Sequence, residues 1–198
     1  ARGTGGCMNE QLTLGFAMCG SFCTLKSTLI TLSELVDAGY DVTPIFSYNV
    51  YDLDTRFFKA EDFRNEVERI TGKKVISTLQ GAEPIAKANL DAVLVCPCTG
   101  NSLSKIAHGI SDTPVTLAVK AQLRNDRPVV IALSSNDSLG ANAKNLGLLL
   151  NTKNFFFVPL SQDEPAQKPN SMIAAREYIL PTLEKAICGE QFQPKFLK

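Results

Sequence analysis

Short, almost unbroken apolar runs recur at residues 12–17, 42–46, 92–96, 129–133 and 155–159. A strand with one solvated face alternates apolar and polar residues, whereas a run without alternation is covered on both faces, as in a parallel sheet held between helices. The intervening segments agree. Leu25, Leu29, Leu32 and Val36 are spaced by 4, 3 and 4 residues, and Phe63, Val67 and Ile70 by 4 and 3, the stripe of a helix packed on a core. Strand then helix, repeated, predicts an α/β fold: a three-layer αβα arrangement around a parallel sheet with right-handed crossovers. Such sheets take ligands beyond the carboxyl ends of their strands, where the strand order reverses. The loops that follow the strands are therefore where chemistry is expected.

A final helix is expected to start at Asn170 or Ser171 as cap and to end before Gly189, with Ile173, Leu180, Leu183 and Ile187 on one face and Pro181 bending it. Residues 162–169, polar and proline-bearing, read as an exposed loop leading into that helix. Residues 1–7, Gly-rich and just before Met8, read as a cloning remnant, residues 8–193 as a single domain, and the end of the chain from 194, with 195–198 frayed, as a tail. The 20 Lys and Arg balance 20 Asp and Glu, which argues against a nucleic-acid binder held by a broad basic face. The longest apolar runs have about five residues against the roughly 20 needed to span a bilayer, so no membrane segment is expected. Six cysteines, at 7, 19, 23, 96, 98 and 188, are too sparse for a disulfide scaffold and point to a reducing cytoplasm.

Two loops stand out. Residues 15–24 follow the first strand and open the first helix, whose unpaired backbone N–H groups and positive dipole end stabilise a phosphate, with Ser21 or Thr24 adding a hydroxyl. Ser21-Phe22 stands where a P-loop needs Lys and Ser/Thr, and G-x-G-x-x-G is absent, so neither ATP hydrolysis nor a standard NAD site is supported. The plainer alternative is that Gly20 turns the chain and Ser21 caps the helix. In residues 96–105 a buried strand ends in Pro97 and small polar residues before another helix. Thr99, Asn101 and Ser102 offer donors and acceptors to a ring edge or to ribityl hydroxyls, and Lys105 can reach an anion; alternatively Asn101 or Ser102 is only a cap and Lys105 is solvated. His108 is the only histidine, so neither a catalytic triad nor a multi-histidine metal site can be built, and its place late in a helix gives it a structural role. Cys19-x3-Cys23 and Cys96-x-Cys98 fall at one rim of the expected fold, but their spacings are not those of a zinc site; no metal is expected, and buried apolar thiols are the preferred reading.

The run from Pro97 to Asp112, PCTGNSLSKIAHGISD, resembles the P-[AC]-[ST]-x-[NK]-[ST]-[IL]-[AS]-x-[IV]-A-x-G-x-[AS]-D signature of the homo-oligomeric flavin-containing cysteine decarboxylase family, which includes phosphopantothenoylcysteine decarboxylase and the UbiX-type flavin prenyltransferases. The resemblance implies a flavodoxin-like or Rossmann-like fold that binds FMN, and a homo-oligomer. It assigns Gly20, Ser21 and Phe22 to the loop on the FMN phosphate and Ser47 to the small hydroxyl residue after the second strand. Pro97, Cys98, Thr99, Asn101 and Ser102 fall in the loop lining the flavin, and Ser134 and Asn136 in the segment after the strand at 129–133. There are departures. Residues 81–88 lack the histidine of the decarboxylases, and residues 134–138, Ser-Ser-Asn-Asp-Ser, replace their P-x-M-N-x-x-M segment. Ser134-Ser135 also stands where the prenyltransferases carry Arg-Glu. Cysteine decarboxylation and prenyl transfer both lose support.

Over residues 11–193 the likeness is closest to the branch that, with a separate A-subunit, oxidises dihydrodipicolinate to dipicolinate, pyridine-2,6-dicarboxylate, in sporulating bacteria. That implies one component of an oxidoreductase, a small dicarboxylate substrate, and a hydride acceptor that is FMN or NAD(P) supplied through the A-subunit. Two carboxylates call for cations. Arg56 is the preferred clamp, because a guanidinium pairs with carboxylate through two hydrogen bonds, and Lys105 is second; Arg56 as a solvated residue of its loop is the alternative. The rival functions are a non-catalytic partner that keeps a flavin-type pocket and activates or positions the A-subunit and, less well supported, a stand-alone FMN-dependent decarboxylase.

Overall fold

The computed structural model describes residues 11–20, 24–55 and 59–198. Five strands, β1 (Thr13–Met18), β2 (Asp41–Phe46), β3 (Ala92–Cys98), β4 (Val129–Ser135) and β5 (Phe155–Phe157), pair in parallel in the order β2-β1-β3-β4-β5. Their side chains alternate between two cores, which is why the runs carry no polar alternation. Leu14, Phe16, Leu94, Val130 and Ala132 pack beneath α1 (Leu25–Asp37), α3 (Ala60–Thr71) and α9 (Ile179–Ile187). Ala17, Val93, Val95, Ile131 and Leu133 pack on the opposite face beneath α6 (Gly100–Ala107), α7 (Pro114–Arg124) and α8 (Ala143–Leu150), joined there by the short helices α4 (Leu79–Ala82) and α5 (Ile85–Ala88). A further short helix, α2 (Tyr48–Asp52), follows β2 directly. The strand order reverses between β1 and β3: α1 leaves β1 onto one face and α6 leaves β3 onto the other.

Three expectations are corrected. The sheet is mixed rather than wholly parallel, with seven strands: β7 (Met172–Ala174) runs antiparallel to the end of β4, pairing Ser134 with Ile173 and Ser135 with Met172, and β6 (Leu160–Ser161) runs antiparallel to β7. The expected single helix from residue 170 is consequently a strand, a 3-10 turn at Arg176–Tyr178 and then α9. Asn170 and Ser171 cap nothing; the Ser171 hydroxyl donates to Asp163 instead. Pro181 falls in the first turn of α9, where a missing N–H has no intrahelical partner to lose. Nor are residues 195–198 frayed: the Leu160 N–H donates to the Lys195 carbonyl at 2.9 Å and the Leu197 N–H to the Leu160 carbonyl at 2.8 Å, fastening them to β6. The loop at residues 162–169 is largely exposed, as expected, but leads into β7. Residues 1–7 lie outside the described residues. Among the described residues no helix is long and apolar enough to cross a membrane.

Candidate functional site

At the carboxyl end of the sheet, three turns are tied in a row. The Ser47 N–H after β2 donates to the Met18 carbonyl of β1 at 2.9 Å, and the Cys19 N–H after β1 donates to the Pro97 carbonyl of β3 at 3.2 Å. The Cys19 thiol lies against the Ser102 hydroxyl and the Thr99 backbone. The two loops are thus neighbours where they leave β1 and β3, at Cys19 and Pro97, and Ser47 stands on their outer side. Ser21, Phe22 and Arg56 lie outside the described residues.

Thr99 caps α6. Its backbone is extended (φ −80, ψ 160), its Oγ1 accepts from the Ser102 N–H at 3.2 Å, and it donates to the Ser102 Oγ at 3.1 Å. The cap is therefore Thr99, not Asn101 or Ser102; Asn101 is exposed and Ser102 half-buried. Pro97 and Cys98 are buried at the end of β3, and the Cys96–Pro97 peptide is cis. Gly100 opens α6 with no room for a side chain: a Cβ there would stand 2.6 Å from the Ser135 hydroxyl and 2.9 Å from the Asn142 amide nitrogen. Ser47 is extended before α2, yet its side chain caps nothing, and its Oγ is a buried side-chain oxygen without a hydrogen-bond partner among the described residues. Gly20, partly exposed, forms the bend after β1. Thr24 opens α1, whose first turn carries no acidic residue.

The thiols here are held protonated. Burial raises the Cys19 thiol against the smaller lowering effects of Ser102 and Thr99, pushes Cys96 up to about 12 with help from Cys19, and sets Cys98 well above its ordinary range. His108, exposed at the end of α6, places Nδ1 2.8 Å from the Ser104 carbonyl, so that nitrogen carries the hydrogen. Lys105 sits in the last turn of α6 with its ammonium 2.9 Å from each oxygen of Asp112. Asn136 is exposed beyond β4, with its side-chain oxygen 3.5 Å from the Ser171 hydroxyl.

Beside the row, a cleft of about 100 Å³ opens between α1 and the ends of β3, β4 and β7. Thr24, Cys96, Pro97, Ser134 and Arg176 line it; Lys105 does not. The sequence pattern places Arg176 in the body of a helix and so does not single it out. Its position on a turn comes from the pairing of β7 with β4, which no local periodicity announces.

Residues 5–176 match a protein-family model described as flavoprotein. The chain belongs to the flavoprotein family. It is 43% identical over 182 residues to the B-subunit of dipicolinate synthase from Bacillus subtilis (strain 168), with 91% of each chain covered. The solved structure of the dipicolinate synthase B-subunit from Bacillus halodurans matches this flavoprotein with a TM-score of 0.88 at 39% identity, over 96% of this chain and 99% of that one. The FMN-dependent cysteine decarboxylase SpaF, 22% identical with a TM-score of 0.69 over 89% of this chain and 97% of its own, shares the flavoprotein fold. The expected flavodoxin-like fold is thereby established, and the flavoprotein is a close relative of the dipicolinate synthase B-subunit.

Proposed function

We propose that this chain is the flavin-holding B-subunit of a dipicolinate synthase, working with a separate A-subunit to oxidise dihydrodipicolinate to dipicolinate in the cytoplasm of sporulating cells. The observation that carries the reading is the near end-to-end match to a protein of that name at 43% identity over 91% of both chains.

The residues fit FMN. A buried hydroxyl without a partner is costly unless something outside the chain satisfies it, and the Ser47 Oγ is such a group at the expected position after β2. Ser47, with Gly20, Ser21 and Phe22, would hold the phosphate and ribityl end. The turn of Pro97, Cys98, Thr99, Asn101 and Ser102, with Ser134 and Asn136 beyond β4, would line the ring system. A bound flavin supplies an acceptor for two electrons. NAD(P) brought by the A-subunit is the alternative acceptor, and a homo-oligomer the proposed assembly. Arg56 and Lys105 are the proposed cations for the substrate's carboxylates; Lys105 would exchange Asp112 for substrate.

An absorbance spectrum with mass spectrometry of whatever copurifies tests the reading. A yellow protein whose flavin bleaches anaerobically on addition of substrate and the A-subunit supports it; a colourless chain that takes up no FMN refutes it. The second reading, a protein that only activates or positions the A-subunit, is favoured by one feature. The described titratable groups on the turns themselves are thiols kept protonated by burial, so they supply no base. A colourless chain that still stimulates the A-subunit would establish that reading.

A further inference from the structure

The cleft between α1, β4 and β7 contains a cation that the flavin turns do not use. Arg176 reaches across to Glu34 of α1, and its Nη1 donates to both carboxylate oxygens at 2.8 Å. A guanidinium presents five N–H donors in one plane. Nη1 spends its pair on Glu34, while Nε and Nη2 have no hydrogen-bond partner among the described residues. The edge formed by Nε and Nη2 pairs with a carboxylate through two parallel bonds, and Glu34 holds its plane in place.

The surroundings suit a small acid. Cys96, Leu133, Ile173 and Ile179 give the cleft an apolar lining, and the hydroxyls of Thr28 and Thr31 are turned back onto their own helix, donating to the Thr24 carbonyl at 2.9 Å and the Ser27 carbonyl at 3.3 Å. Arg176 is the one formally charged residue lining the cleft among the described residues. The cleft opens to solvent, so a ligand seated in it extends beyond its about 100 Å³; that is less than the ~150 Å³ that encloses a whole benzene ring, and it accommodates the carboxyl-bearing edge of one ring.

We infer that Arg176 binds one carboxylate of a planar pyridine or dihydropyridine carboxylate at this cleft, next to the flavin turns, with Glu34 as its positioning residue. The identity of the acid rests on the proposed function; the carboxylate site rests on the geometry.

Calorimetric titration of the full chain, with the flavin it carries, against pyridine-2,6-dicarboxylate, benzene-1,3-dicarboxylate and uncharged pyridine tests both parts. The diacid binds and pyridine does not. Arg176→Ala weakens binding about 10- to 100-fold, the scale of a charge-assisted pair. Arg176→Lys keeps the charge and the tie to Glu34 but loses the fork, so it too weakens binding, about tenfold. Glu34→Gln removes a repelling charge while keeping an acceptor, and tightens binding severalfold, a gain that a merely structural pair would not give. Both Arg176 variants binding pyridine-2,6-dicarboxylate like the parent overturns the site and leaves the proposed function standing, as does a parent that binds neither diacid but turns over with the A-subunit. A parent that binds only the benzene diacid, with the same dependence on Arg176, supports the site and overturns the dipicolinate reading.

Discussion

Replacing Gly100 by alanine tests whether the start of α6 is positioned by backbone contact. The added Cβ would meet the Ser135 Oγ at 2.6 Å and the Asn142 Nδ2 at 2.9 Å, both nearer than real Cβ atoms stand. Neither neighbour is free to leave. The Ser135 Oγ accepts from the Asp137 N–H at 3.3 Å, and the Asn142 amide donates to Asp137 at 3.3 Å while accepting from Asn145 at 2.8 Å. Overpacking of this kind costs about 1–3 kcal/mol. Greater helix propensity returns at most about 1 kcal/mol, and less at the first position of a helix than in its interior. A net loss of about 1–2 kcal/mol lowers the Tm of a chain this size by about 2–8 °C in scanning calorimetry. Ser135→Ala, made in the same chain, removes the nearer obstacle, so the double variant should be more stable than the sum of the single effects by about 1 kcal/mol. A Gly100→Ala chain as stable as the parent, or strictly additive effects, would refute the argument.

Ser47→Ala should separate stability from cofactor binding. The hydroxyl caps nothing and has no partner among the described residues, so its loss leaves the flavin-free chain as stable or up to about 1 kcal/mol more stable by urea titration, while FMN affinity falls about tenfold or more. The buried thiols set an alkaline limit. In the unfolded chain they ionise around 9.0, and in the folded chain burial pushes them higher, Cys96 to about 12; their contribution is complete below pH 9 and is lost as pH rises through that window, by ~1.4 kcal/mol per thiol per unit. Unfolding measured from pH 8 to 11 should show falling stability, and a flat profile would contradict it. Deleting residues 195–198 removes two backbone hydrogen bonds to Leu160, worth about 1 kcal/mol each, and should lower Tm by several degrees rather than leave it unchanged.

The five parallel strands were legible because burial on both faces writes itself as uninterrupted apolar sequence, and each run lies within two residues of its strand at both ends. β6 and β7 were not, since elements of two and three residues hold no period, and Ile173, Leu180 and Ile187 recur at sevens whether or not a helix joins them. The small polar residues from Thr99 to Ser102 marked a turn between β3 and a helix, but not its cap, which is Thr99 where Asn101 or Ser102 was expected. The unsatisfied state of Ser47 could not, because it depends on what β1 and α2 leave uncovered. Arg176 was illegible for the same reason: its partner Glu34 is on α1 and its cleft is made by β3, β4 and β7.

The fastening of the tail to Leu160 belongs to a wider pattern. On the outer side of β2, Ile76 exchanges backbone bonds with Pro44 and Phe46, and Pro44 has no N–H to offer. Beside β5, the Gln191 side chain imitates a neighbouring strand, accepting from the Phe157 N–H and donating to its carbonyl, both at 2.8 Å. Each margin of the sheet thus has bonding groups already engaged by its own chain, which discourages stacking into fibrils through strand addition. A companion protein meeting this molecule would find helices and loops to recognise, and little bare ladder to extend.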